Sequence, residues 1–266
     1  SKRLLIWSEQ GIGDTLSWSS YLPIISSKAH HCMLECQEKI VPLLQRSFPN
    51  LEVKPVNKEL DSTRKDFDFH LPMGSLYKNL FPEINKNNKT KPCLVPNVKR
   101  VDYWKRRLRD IGKGSYIGIS WKSSDMSSDR IQNYAPLSKW RPIFEVPDVT
   151  FINLQYTECE QQLQAAEEDF NVNIFRPPNI DLFNELDRVA ALISECDIVI
   201  GPMTAVISMA GAVGTRCYGL NLHPDWTCLG TDTQPWTPRM TCKYRGHSDS
   251  WKIVIEEIAE EIKTSF

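Results

Sequence analysis

The run Glu9-Gln10-Gly11-Ile12-Gly13-Asp14 joins two glycines to a carboxylate where a short apolar segment gives way to a helical pattern. Glycines at 11 and 13 let the chain turn tightly and let a ligand come close to its backbone. Asp14 then has two readings. It can serve as an N-cap, accepting backbone N–H groups. It can also serve as a general base facing a cleft, where taking a proton from an acceptor hydroxyl is worth about 10²–10⁴ in rate. The two roles are compatible, and Gln10, Gly11 and Gly13 would line the acceptor side of such a cleft. The loop falls short of the dinucleotide fingerprint G-x-G-x-x-G: Leu16 stands where the third glycine belongs, although Glu35 lies about 20 positions on from the loop.

Three further groups carry chemistry. Gly201-Pro202-Met203-Thr204-Ala205-Val206 follows an apolar run and opens a helix of small residues. Its free backbone N–H groups and the helix dipole make a ready diphosphate site, and a well-packed small-residue helix without a ligand is the plain alternative. Gly118-Ile119-Ser120-Trp121-Lys122 ends another apolar run. There Lys122 offers a point charge for phosphate and Ser120 a hydroxyl donor. The polar stretch SSDMSSDRIQNY that follows holds Arg130 and reads as an active-site loop. Last come His223-Pro224-Asp225-Trp226 and Gln234-Pro235-Trp236-Thr237-Pro238, where Trp rings suit a base or sugar platform and Asp225 can accept hydroxyls.

These motifs need a scaffold that delivers them to one place. Strand-like and helix-like segments alternate along the chain, which indicates α/β layering with parallel sheets. Residues 3–7, 32–36, 51–53 and 67–71 read as strands in the first half. Residues 116–121, 149–154, 172–175, 197–200 and 216–220 do so in the second, the last of these being the final inner strand. The stretch 82–99 is polar and proline-punctuated, and so marks a linker. The basic segment 101–111 (VDYWKRRLRDI) is an amphipathic helix with a solvated face. The expected organisation is two Rossmann-like units, residues 1–99 and 100–266, facing a central cleft. Ligands of such sheets bind outside the carboxyl ends of the strands.

The bulk properties narrow the function. Lys and Arg number 32 against 33 for Asp and Glu, so no charge imbalance points to nucleic acid. No apolar run reaches the roughly 18 residues of a membrane span. The eight cysteines form no C-x-x-C pair and several fall in strand-like runs, so reduced thiols and a cytoplasmic setting are expected. The histidines are dispersed, Asp125 and Asp129 make no carboxylate cluster, and no metal site is expected. There is no Gly-x-Ser-x-Gly elbow. No Tyr-x-x-x-Lys pair supports an epimerase, since Tyr103 is followed by Arg107 and Tyr134 by Ser138. The chain begins without Met and reads as trimmed or as part of a longer protein.

In their order and spacing, EQGIGDTLSWSSYLP, DFDFHLPMGSL, YIGISWKSS, CDIVIGPMTAVISMAGAVG and PDWTCLGTDTQPWTPRM resemble the glycosyltransferase family 9-like domain. That domain is found at the C-terminus of bacterial tetratricopeptide-repeat proteins and is related to the lipopolysaccharide heptosyltransferases. The resemblance covers nearly the whole chain. It implies the GT-B architecture and an inverting transferase that works without a metal ion or resident cofactor. A nucleotide-diphosphate sugar would be the co-substrate, and a glycan, a lipid-linked sugar or a protein the acceptor. It implies Asp14 as the base, Lys122 on the donor phosphate, and Thr204, Ala205 and Val206 around the diphosphate. Two positions depart from the pattern: Met203 stands where an Asp is common, and Ser208 where a His is common. A weakly active or inactive nucleotide-sugar or glycan-binding module is therefore the alternative, and the main rival outside the class is a nicotinamide-dependent enzyme.

Overall fold

The computed structural model describes residues 2–56, 64–80, 91–112, 114–246 and 250–265. Two parallel sheets organise them. The first contains β1 (Arg3–Trp7), β2 (His31–Cys36), β3 (Glu52–Pro55) and β4 (Phe69–Pro72), in the order β3-β2-β1-β4. The second contains β5 (Ser115–Ile119), β6 (Val149–Asn153), β7 (Ile174–Phe175), β8 (Ile198–Pro202), β9 (Arg216–Asn221), β10 (Thr233–Gln234) and β11 (Thr237–Tyr244). Its order is β10-β11-β9-β8-β5-β6-β7, parallel throughout except for the β10/β11 pair. Read by their sequence among themselves, the parallel strands of this sheet run third, second, first, fourth, fifth, sixth, which is the doubly wound order. The point where that order reverses lies between β5 and β8; in the first sheet it lies between β1 and β4.

Hydrophobicity explains the central strands. All five residues of β8 are buried, as a parallel strand covered on both faces requires. One face of the second sheet packs on Trp140, Ile143 and the amphipathic Trp251–Lys263 helix. The other face belongs to a core that runs on into the first sheet and includes Leu16, Tyr21, Leu34, Leu192, Val206 and Met209. The halves are thus joined by apolar burial as well as by chain. Polar ties reinforce it. Asp187 is 9% exposed and receives Arg46 from the first half and Arg100, whose Nη1 lies 3.6 Å away.

Several boundaries differ from the sequence expectation. The strand β11 lies beyond residues 216–220, the final strand expected from the sequence. Its buried positions Met240 and Cys242 alternate with less buried neighbours beside β9, a pattern hidden by the prolines at its start. The helix expected at 101–111 begins at Val98, because the Asn97 side chain accepts from the Lys99 and Arg100 amides at 3.1 and 3.3 Å. Of the expected linker, residues 82–90 lie outside the described residues. Residues 91–97 belong to no helix or strand but are tied down: the Cys93 and Leu94 amides both donate to the Ala212 carbonyl, at 2.9 and 3.0 Å.

Candidate active site

The strand β1 ends at Trp7 and the chain turns through Glu9-Gln10-Gly11 into the Ile12–Trp18 helix. Glu9 fixes that turn. Its carboxylate accepts from the Met73 and Gly74 amides, both at 2.9 Å, and so bridges the ends of β1 and β4. The N-cap is Gly11, not Asp14, and it has no side chain to cap with. Asp14 sits at the third helical position, where a carboxylate reaches back to the N-cap amide in the manner of a capping box. Burial pushes its pKa up. The Gly11 amide opposes this, Glu9 adds to it, and Arg130 draws it back. The carboxylate stays accessible from the cleft.

From the other half, β8 delivers Met203 and Thr204 to the start of the Ala205–Val213 helix. The first helical bond runs from the Ser208 amide to the Thr204 carbonyl at 3.0 Å. The Ala205, Val206 and Ile207 amides come before it and have no partner within the helix. The Thr204 side chain makes no capping bond, and its Oγ1 is buried without a partner among the described residues.

The two helix starts meet. A Cβ added at Gly13 would lie 3.2 Å from the Ala205 nitrogen and 3.5 Å from Ser208 Oγ. One turn on, Ser17 Oγ donates to Ser208 Oγ at 3.0 Å. Glycine and serines let the helices touch at the backbone. Above the crossing opens a cavity of about 440 Å³, within the range of small-ligand sites. Its walls include Gly11, Gly13, Asp14, Arg130, Met203, Thr204, Ala205, Val206 and Asp225. Nine residues singled out from the sequence are therefore brought together, from opposite ends of the chain.

Three are not. The Gln10 side chain is exposed outside this wall, and its carbonyl accepts from Gln37 Nε2 at 2.9 Å. Ser120 is completely buried and donates to Gln155 Oε1 at 3.2 Å. Lys122 points away from the cleft: its Nζ donates to the Glu158 carbonyl at 2.9 Å, and the residue borders a separate hollow of about 330 Å³. The cause is Gln155 at the end of β6. Its Oε1 accepts from the Trp121 and Lys122 amides at 2.9 and 3.1 Å and its Nε2 donates to the Lys122 carbonyl at 3.0 Å, which pins the backbone. Ser123, Ser124 and Arg130 from the following loop reach the cleft instead. Arg130 is 62% exposed and holds Asp125 at 3.2 Å.

The remaining walls are aromatic. Trp226 and Trp236 pack edge-on against Tyr77 from the first half, with centroids 5.4 and 5.3 Å apart. Asp225 starts the turn that carries Trp226, with its Oδ1 accepting from the Thr227 amide and hydroxyl at 2.9 and 2.7 Å. Phe183 also lines the cleft. Lys39 of the first half spans to it, 3.6 Å from the ring centroid, and donates to the Phe183 carbonyl at 3.0 Å. Sequence reading missed Phe183, Lys39 and Gln155. Gln155 left a trace, a polar residue closing the apolar run VTFINL, but Phe183 and Lys39 are far apart in sequence. Met203, where an acid is common in the resembled family, lays its thioether over Gly219: a Cβ there would sit 2.3 Å from Sδ. Among the described residues no group of His, Cys, Asp and Glu is arranged to hold a metal ion. None of their helices is long and apolar enough to cross a membrane.

No family model matches the sequence. Protein FlbA of Caulobacter vibrioides is 33% identical over 280 aligned residues, which take in 98% of this chain and 46% of FlbA. The chain thus spans about half the length of the curated relative it matches. Among solved structures, the glycosyl transferase family 9 protein of Veillonella parvula DSM 2008 superposes with a TM-score of 0.66 at 11% identity, covering 97% of this chain and 91% of that one. The E. coli ADP-heptose LPS heptosyltransferase II gives 0.65 at 10% identity, covering 98% of each chain. The E. coli heptosyltransferase WaaC, solved with ADP-2-deoxy-2-fluoro heptose, gives 0.63 at 11% identity, covering 99% of this chain and 100% of that one. At such identities the likeness fixes the fold: the chain has the GT-B architecture of these glycosyltransferases, two Rossmann-like units about a cleft.

Proposed function

We propose that the chain transfers a sugar from a nucleotide-diphosphate donor to an acceptor hydroxyl, with inversion and without a metal ion. One observation carries the reading. Two helix starts whose N-cap side chains make no capping bond, one from each half, converge on a single cleft, and the Asp14 carboxylate, of raised pKa, lines it.

In this mechanism the donor lies on the second half, its diphosphate against the Ala205, Val206 and Ile207 amides. Arg130, which lines the cleft, is the cation assigned to the phosphates. The acceptor oxygen attacks the anomeric carbon from the face opposite the diphosphate, Asp14 takes the hydroxyl proton, and the nucleoside diphosphate leaves with the bonding pair. The leaving charge is stabilised by donors already in place. WaaC is described with an ADP-linked heptose analogue, so adenine is the first base to try. The acceptor, a glycan, a lipid-linked sugar or a protein, lies towards Gly11, Gly13 and Trp18.

A second reading rests on Met203. A thioether stands where an acid would grip a sugar hydroxyl, so the cleft can bind a nucleotide sugar without transferring it. Thermal shift against ADP, UDP, GDP and CDP, their sugars and NAD separates the cases. A ligand at 100 times its Kd stabilises by about 2.7 kcal/mol, or several degrees. A selective shift followed by sugar release or transfer supports the transferase. A shift with no turnover supports the binding module, and a shift with NAD alone overturns both.

A further inference from the structure

Cys228 and Cys242 are 1% and 2% exposed, and their sulfurs lie 3.2 Å apart. Cys228 closes the short turn Trp226–Cys228, and Cys242 sits on β11 opposite Gly219 of β9. Asp225, Trp226 and Thr227, immediately before Cys228, all line the cleft. The thiol pair therefore joins a piece of cleft wall to the sheet behind it. Burial pushes most other thiols up, that of Cys32 to about 11 and that of Cys36 to about 12. Cys228 goes the other way: contact with the Cys242 thiol holds it below the usual range against the pull of burial. The loop that follows has open space beside it: a Cβ at Gly230 would meet nothing within 4 Å.

We propose that Cys228 and Cys242 are a modification site, forming a reversible disulfide that ties the cleft-lining turn to β11. The oxidant is a hydroperoxide. Cys228 loses its proton and the thiolate attacks one peroxide oxygen; the O–O bond breaks, and the leaving hydroxide takes up that proton as water, giving a sulfenic acid. The Cys242 sulfur then attacks Cys228, the S–O bond breaks and water leaves. In sum, two thiols and one hydrogen peroxide give one disulfide and two waters. A disulfide is about 2.05 Å long, so the sulfurs approach by roughly 1 Å, and the turn moves with Cys228. Thiol reagents reverse the step by exchange.

The test uses the full chain and does not depend on transferase activity. The protein is treated with hydrogen peroxide, mapped by mass spectrometry without reduction, and melted before and after dithiothreitol. The expected result is a peptide pair joined through 228 and 242, lighter by two hydrogens, with a Tm raised by several degrees and restored by dithiothreitol. In Cys242→Ser, dimedone should trap sulfenic acid at Cys228 and the Tm rise should vanish. Oxidation confined to the partly exposed Cys93 and Cys159, or a disulfide between any other pair, would overturn the proposal. The wild-type peptide map decides the matter even if the variant folds poorly.

Discussion

Replacing Gly13 with alanine tests the proposed donor site at its narrowest point. The new Cβ would lie 3.2 Å from the Ala205 nitrogen, 3.4 Å from its Cα and 3.5 Å from Ser208 Oγ. Two of these neighbours are backbone and cannot swing aside, so the helices must separate by a few tenths of an ångström. Alanine in a helix gains about 0.5–1 kcal/mol over glycine, while overpacking costs about 1–3 kcal/mol. A shift this small places the cost near the lower bound, so net stability should change by about 1 kcal/mol or less, a few degrees in Tm. Ligand binding should suffer more. The methyl group stands against the Ala205 N–H, one of three amides offered to the diphosphate. A hydrogen bond to a charged group is worth about 1.5–3 kcal/mol, so affinity should fall roughly 10- to 150-fold. Calorimetric titration with the nucleoside diphosphate that binds wild-type protein measures this directly. Unchanged affinity with an intact Tm would refute the reasoning, because the diphosphate would then lie away from the crossing.

Other substitutions separate the roles further. Asp14→Asn should spare nucleotide affinity and cut turnover by about 10²–10⁴. Because burial raises the Asp14 pKa in the folded state, its contribution to stability is present at low pH and lost as pH rises through that raised value. The Asn variant should therefore melt no lower than wild type at neutral pH, and wild-type activity should fall on the acid side with an apparent pKa above the ordinary carboxylate range. Arg130→Ala should weaken nucleoside-diphosphate binding about tenfold, a fraction of a charge-assisted bond at an exposed site. Lys122→Ala should leave it unchanged, since Lys122 faces Glu158; the opposite ranking in a binding titration would return the phosphate role to Lys122. Asp187→Ala strips Arg46 and Arg100 of their shared partner. Its loss should cost about 1–3 kcal/mol in denaturant melts, less than the 3–5 of a fully buried pair because the arginines stay partly solvated.

What the sequence made legible was local. Apolar runs ending in Gly-x-Gly-Asp and Gly-Pro-Met-Thr marked strand ends and helix starts, because those residue types are demanded by turns and uncapped amides. Parallel sheets then placed both motifs at carboxyl ends, and the cleft between the halves followed. What stayed hidden was set by single side-chain bonds between distant segments. Nothing near Lys122 announces that Gln155, 33 residues on, will hold its backbone and turn its ammonium away. The N-cap reading of Asp14, one of two open for it, arose because Gly11 and Gly13 both read as turn residues. Gly13 is in fact helical, which moves the cap back to Gly11. The strand β11, between β10 and β9, stayed hidden because aromatic and proline residues at its start outweighed its alternating pattern.

Ser208 shows how a departure from a family pattern can be a packing requirement. A His at 208 would have to fit where Ser17 Oγ is 3.0 Å from Ser208 Oγ and a Cβ on Gly13 would be 3.5 Å from it. An imidazole needs several ångströms there, so it requires either a larger gap between the helices or a route out of the crossing. Gly13, Ser17 and Ser208 form a matched set that lets two amide-bearing helix starts approach each other, and enlarging one alone pushes the helices apart by an amount set by the size of the new side chain. Ser208→His should therefore lower stability by about 1–3 kcal/mol through overpacking and widen the gap in front of Asp14, with both affinity and Tm falling. A Ser208→His variant with wild-type Tm and faster turnover would show instead that the crossing has room to spare and that the serine marks a weakened site.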